Sequence, residues 1–99
     1  MASVKWLPEA LDDVERLYYF LRDKSPQAAM RAANSILQGA ILLKATPRLG
    51  RPMDDATGRR ELFISFGAGA YVLRYMLEKK DVVIVICVWH SREDKPASD

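Results

Sequence analysis

Residues 71–92 read YVLRYMLEKKDVVIVICVWHSR, and the fold of the chain follows from how that stretch is laid out. Tyr71, Leu73, Tyr75 and Leu77 fall on one face of an extended chain, with Val72, Arg74 and Met76 on the other, because side chains alternate across a strand. From Val82 to Trp89 the chain is apolar at every position and rich in β-branched residues, which suits a strand covered on both faces. Ile86 stands within it, and Ile86→Asp is expected to abolish folding, since an unpaired charge is too costly to bury there. Glu78, Lys79, Lys80 and Asp81 between the arms are all charged, so a tight reversal joins them. The stretch is therefore a β-hairpin whose second arm is an interior strand, with His90, Ser91 and Arg92 presented at its end. The apolar run is far shorter than the roughly 20 residues of a membrane-spanning helix, and no membrane segment is expected.

Upstream, Val4 and Trp6 mark a short first strand over Ser3–Trp6. Pro8 suits the first turn of a helix, where its missing N–H costs nothing, and Glu9, Asp12 and Asp13 put negative charge at the positive end of the helix dipole. Leu11, Val14, Leu17, Tyr18 and Leu21 recur at intervals of three and four, which gives that helix one apolar face. Ser25-Pro26 caps and opens a second helix. There Ala29, Ala33, Ile36, Ala40 and Leu43 form a stripe that Ala28, Ala32, Leu37, Ile41 and Leu42 widen. The turn near Lys24 to Pro26 is so short that the two helices must run antiparallel. Gly39 weakens the second helix by about 1 kcal/mol relative to Ala and is expected at a crossing point. Thr46-Pro47 ends it. Residues 48–58, RLGRPMDDATG, read as a loop. A strand follows from Arg59 or Arg60 to Phe66, then the turn Gly67-Ala68-Gly69. The predicted order is β-α-α-β-β-β: one α+β domain over 1–99, its N-terminal helical hairpin packed on a mainly antiparallel four-stranded sheet, with 93–99 a frayed tail.

Ninety-nine residues, 49% of them apolar, suffice for one modest core. The 15 Lys and Arg against 13 Asp and Glu leave +2, a balance that permits nucleic-acid binding without indicating it. Cys87 is the one cysteine, so an intramolecular disulfide and a multi-cysteine metal site are excluded, and a reducing, cytoplasmic setting fits. Met1 to Leu11 has no long apolar stretch behind a basic start, and no signal peptide is expected. Asp12-Asp13 and Asp54-Asp55 are carboxylate pairs without an accompanying histidine, so no metal is expected. Cys87 sits amid aliphatic residues and reads as core.

In order and spacing the chain resembles the RelE/ParE superfamily of bacterial toxin–antitoxin toxins over nearly its whole length. The resemblance is carried by Trp6, Pro8, Glu9, Ala10 and Asp13; by Pro26-Gln27-Ala28-Ala29; by Pro47-Arg48-Leu49-Gly50-Arg51-Pro52; by Arg60-Glu61-Leu62; by Tyr71 to Tyr75; and by Val85 to Arg92. It implies two chemistries. The ribonuclease branch cleaves messenger RNA on the ribosome with a basic phosphate clamp and a general acid and base projected from the sheet. There an Arg in the penultimate strand corresponds to Val72, and a Glu after the Gly-Lys/Arg-Pro loop corresponds to Met53. Neither Val72 nor Met53 can move a proton or hold a phosphate, and His90 alone survives. That departure favours the ParE branch, toxins of plasmid-stabilisation modules that poison DNA gyrase without a hydrolytic site or a cofactor. The alternatives are a messenger RNA endonuclease with His90, Arg74 and Arg92 in a rearranged site, and a detoxified relative that only binds antitoxin.

Arg51, Arg59, Arg60, Arg74, His90 and Arg92 are the candidates for a basic target-binding surface; a solvated rim without a common ligand is the competing reading. For His90 the competing reading is a strand-end histidine hydrogen-bonded to a loop. The resemblance also implies a hetero-oligomer with a ParD-like antitoxin, with a ribbon-helix-helix start, that folds across helical hairpin and sheet. Tyr19, Leu42 and Met53, apolar residues surplus to one small core, are candidates for that contact.

Overall fold

The computed structural model describes residues 1–79 and 81–93; the tail expected to fray lies, beyond Glu93, outside them. The chain runs β1 (Ser3–Trp6), α1 (Pro8–Arg22), α2 (Pro26–Ala45), β2 (Arg51–Pro52), β3 (Arg60–Phe66), β4 (Gly69–Glu78) and β5 (Val82–His90). One sheet takes the order β1-β5-β4-β3-β2, with β1 parallel to β5 and the other pairs antiparallel. The α+β class and the helical hairpin over a mainly antiparallel sheet are as the sequence predicts. The sheet has five strands rather than four, because Arg51 and Pro52 pair with Glu61 and Arg60. Two residues carry no alternation to read, and proline, which cannot donate to a ladder, is tolerated on an edge strand such as this.

β5 is interior, flanked by β1 and β4. Its register with β4 shifts once: Arg74 pairs with Cys87 but Tyr75 with Val85, which leaves Ile86 without a partner. An extra residue of this kind is a β-bulge, and it exchanges the faces of everything beyond it. Val83 and Val85 before the bulge and Val88 after it therefore all join the core beneath the helices, with Tyr71, Leu73, Tyr75, Leu17, Ile36 and Leu43. Ile86, Cys87 and Trp89 pack with Val72 and Met76 in a second, smaller cluster, on the face of the sheet away from the helices. Cys87 is buried, in that outer cluster.

Pro8 and Pro26 occupy the first turns of their helices, and the Ser25 hydroxyl accepts the Ala28 N–H at 3.1 Å. The helices bury narrower stripes than their patterns suggest. Ala10 and Leu17 are buried on α1, and Ala29, Ala32, Ile36, Gly39, Ala40 and Leu43 on α2, while Leu11, Leu37, Ile41 and Leu42 are exposed. A helix lying on a sheet covers little more than a third of its circumference, so residues at the flanks of the stripe stay wet. Gly39 marks the place where α2 crosses β3: a Cβ there would lie 2.5 Å from Ile64 Cδ1.

The loop after α2 is tied to the core by one hydroxyl. Tyr75, fully buried, donates to the Pro47 carbonyl at 2.7 Å and accepts the Gly50 N–H at 2.8 Å. Gly50 packs so closely on that ring that a Cβ would stand 2.6 Å from Cε1. Burial pushes the phenol above the ordinary tyrosine pKa. Tyr75→Phe strands the buried Gly50 N–H and removes the bond to the half-buried Pro47 carbonyl, and is expected to cost about 1–3 kcal/mol in urea denaturation. A variant as stable as the parent would show that the loop is held elsewhere.

Candidate functional site

The outer face of the sheet carries Val72, the position that the resemblance sets against an Arg of the nuclease branch, together with Arg74. Val72 and Arg74 project there from β4, opposite Trp89 and Cys87 of β5. Arg74 does not face solvent: its side chain is 3% exposed, and Nε and Nη2 donate at 3.2 and 2.9 Å to one carboxylate oxygen of Glu61, in the strand alongside. Its carbon Cζ also lies 4.9 Å from the centre of the Trp89 ring. A cation satisfied by a buried carboxylate and an indole face is a structural element. It has little left with which to clamp a phosphate.

His90 follows the bulge and so turns to the opposite face. Its ring packs edge-on against Tyr71 at 5.2 Å beneath α1, and Nδ1 accepts the backbone N–H of Arg92 at 3.1 Å. That bond places the proton of the neutral imidazole on Nε2. His90 and Arg74 are thus on opposite sides of the sheet and cannot act on one substrate atom.

The remaining basic candidates divide between the two ends of β4. At the Leu77 end, Arg59 and Arg60 line a depression of about 520 Å³ with Arg48, Lys79 and Asp55. Arg60 also braces the loop, donating to the Gly50 and Arg48 carbonyls at 2.7 and 3.2 Å. Asp55 accepts the hydroxyl and backbone N–H of Thr57, hydrogen bonds that hold its carboxyl below the usual carboxylate range. Arg51 stacks over the exposed Phe63 ring at 5.0 Å, on β2 and β3. Arg92 lies with His90 at the Tyr71 end, where both line a cleft against α1.

The three antitoxin candidates are spread over three elements. Tyr19 is exposed on α1, with the Arg22 guanidinium 4.5 Å above its ring. Met53 is half-buried in the loop and lines the depression that holds Arg59 and Arg60. Leu42 borders a groove of about 350 Å³ with Gly39, Leu62, Phe63 and Ile64, between α2 and β3. Beside that groove the β3 edge is open from Leu62 onward, because β2 pairs only with Arg60 and Glu61. An open edge next to an apolar groove accepts an added strand or an amphipathic helix. Glu61, Phe63 and Trp89 were not foreseen as functional neighbours. Their signal is the register between strands, which a single strand's pattern does not contain.

Among the described residues no cluster of His, Cys, Asp and Glu has the geometry to hold a metal ion, and no helix is long and apolar enough to cross a membrane. Residues 4–95 match the model of a family described as the ParE toxin of the type II toxin–antitoxin system parDE. Two Caulobacter vibrioides proteins are similar. "Toxin RelE3" is 39% identical over 94% of this chain and 98% of its own length, and "Toxin RelE1" is 34% identical over 84% of this chain and 86% of its own. The backbone resembles a chain of the "Chromosomal ParDE TA system from P. aeruginosa", with a TM-score of 0.75 and 20% identity over 91% of this chain and 96% of that one.

Proposed function

Since this chain belongs to the ParE toxin family and is a toxin of the type II toxin–antitoxin class, we propose that it blocks DNA gyrase without hydrolytic chemistry of its own, in the cytoplasm, until a cognate ParD-like antitoxin covers it. The observation that carries this reading is the chemistry of the outer sheet face. The positions that the resemblance sets against the nuclease branch's reactive groups are Val72 and Met53; Arg74, on the face of Val72, is bound to Glu61, while Arg59 and Arg60 line the depression at Met53. Neither Val72 nor Met53 can shuttle a proton or hold a phosphate, which supports the non-hydrolytic reading. Purified protein is expected to inhibit supercoiling by gyrase, and added antitoxin to relieve the inhibition. Unimpaired supercoiling at saturating protein would overturn the proposal.

The second reading, a ribosome-dependent messenger RNA endonuclease, is favoured by the RelE names of the two Caulobacter relatives. It needs His90 together with Arg74, and a bulge separates their faces. His90→Ala distinguishes the two. Growth inhibition by a folded His90→Ala protein is expected to stay within about threefold of the parent, since removal of a general acid or base costs about a hundredfold or more in an enzyme. Loss of inhibition together with loss of messenger RNA cleavage would decide for the nuclease. For the antitoxin, the groove at Leu42 and the open β3 edge offer the apolar and backbone contacts that a folding segment requires.

A further inference from the structure

Between the second half of α1 and the ends of β4 and β5 lies a cleft of about 650 Å³ that neither the outer face nor the antitoxin candidates use. Its floor is apolar: Leu17 and Leu21 from α1, Phe66 from β3 and Tyr71 from β4. Phe20 stands at the wall, 66% exposed. A large exposed aromatic beside a concave apolar floor is the composition of a ligand site, and the volume falls within the range of about 300–1,000 Å³ common for small-molecule pockets.

The polar groups around this floor select the ligand. Arg16 pairs with Asp13 and Glu93, and the Glu93 carboxylate also accepts the His90 backbone N–H at 2.8 Å, so these charges satisfy one another. Lys24 and Arg92 have no carboxylate partner among the described residues. The Lys24 ammonium lies 4.8 Å from the centre of the Phe20 ring, and Arg92 gives only its backbone N–H, to His90. Tyr71 is 2% exposed, yet its hydroxyl bonds to no group among the described residues. No buried side-chain oxygen there lacks a partner, so solvent reaches that hydroxyl through the cleft. With His90 Nε2–H added, the cleft offers a set of available donors, two of them cations, beside the Glu93 carboxylate that Arg16 neutralises.

From this pattern we propose that the cleft binds a small aromatic anion, its ring against Phe20 and Phe66 and its carboxylate or phosphate held by Lys24, Arg92 and the Tyr71 hydroxyl. A peptide fits less well. Each of its residues brings a backbone N–H that needs an acceptor, and the one carboxylate in the cleft is already engaged by Arg16 and His90. The site is independent of the gyrase reading, and its test uses neither gyrase nor antitoxin.

Full-length protein titrated with anilinonaphthalene sulfonate, itself an aromatic anion, is expected to bind one equivalent saturably. Adenosine monophosphate and indole acetate then compete as a phosphate and a carboxylate. Displacement by either supports the site and names its preferred headgroup, and displacement by neither overturns it. Lys24→Glu combined with Arg92→Glu, both on the surface, is expected to weaken dye binding about tenfold, and Tyr71→Phe about threefold, with circular dichroism unchanged. Dye affinity that survives the charge reversal would show a merely greasy surface and overturn the proposal.

Discussion

Val85→Asp is expected to leave the chain without a cooperative thermal transition. Val85 is fully buried, paired with Trp6 on one side and Tyr75 on the other, under the helical hairpin. A carboxylate there has no partner, and its desolvation costs several kcal/mol in addition to the lost packing of valine. Domains of this size are stable by only about 5–15 kcal/mol. Ile86, the position that the unbroken apolar run suggests for such a test, is unpaired at the bulge and belongs to the smaller outer cluster. Its change to Asp is therefore the milder of the two. A Val85→Asp protein that melts cooperatively near the parent temperature would disprove the central position of β5.

Glu61→Leu is expected to destabilise by about 3–5 kcal/mol, the range for removing one member of a buried ion pair. It takes away the oxygen to which two Arg74 N–H groups donate while the guanidinium stays in a site 3% exposed. Glu61→Leu together with Arg74→Met is expected to recover most of that loss, because an apolar pair of similar volume needs no desolvation. Urea denaturation of the single and double variants measures both numbers. If the double variant is as unstable as the single, Arg74 has a role that Glu61 does not share. A stable double variant that still inhibits gyrase would also remove Arg74 from the target surface.

The order of elements was legible because each carries a local signal: the all-apolar run from Val82, the Ser25-Pro26 cap, the proline after Thr46. The chemistry was less so, for a geometric reason. An apolar run has no visible alternation, so the bulge at Ile86 leaves no trace in it, yet that single residue decides that His90 turns toward α1 while Trp89 turns away. Arg74 and Glu61 are thirteen residues apart in sequence and meet only through the β3–β4 register. As isolated letters they read as two surface charges. Leu37, Ile41 and Leu42 have helical spacing but lie outside the arc that the sheet can cover, and periodicity does not say how wide that arc is.

The pairing of β1 with β5 sets the order in which this molecule can come into being. Ser3 to Trp6 line up with Val82 to Val85, so the opening residues find their neighbour only when the closing strand has been synthesised. Until then the helical hairpin has no complete floor on which to bury its alanine-rich face. A polypeptide halted short of that strand has the helices and the β3–β4 hairpin but lacks the strand that joins β1 to them. The complete sheet therefore forms only once residues 82–90 are available to it.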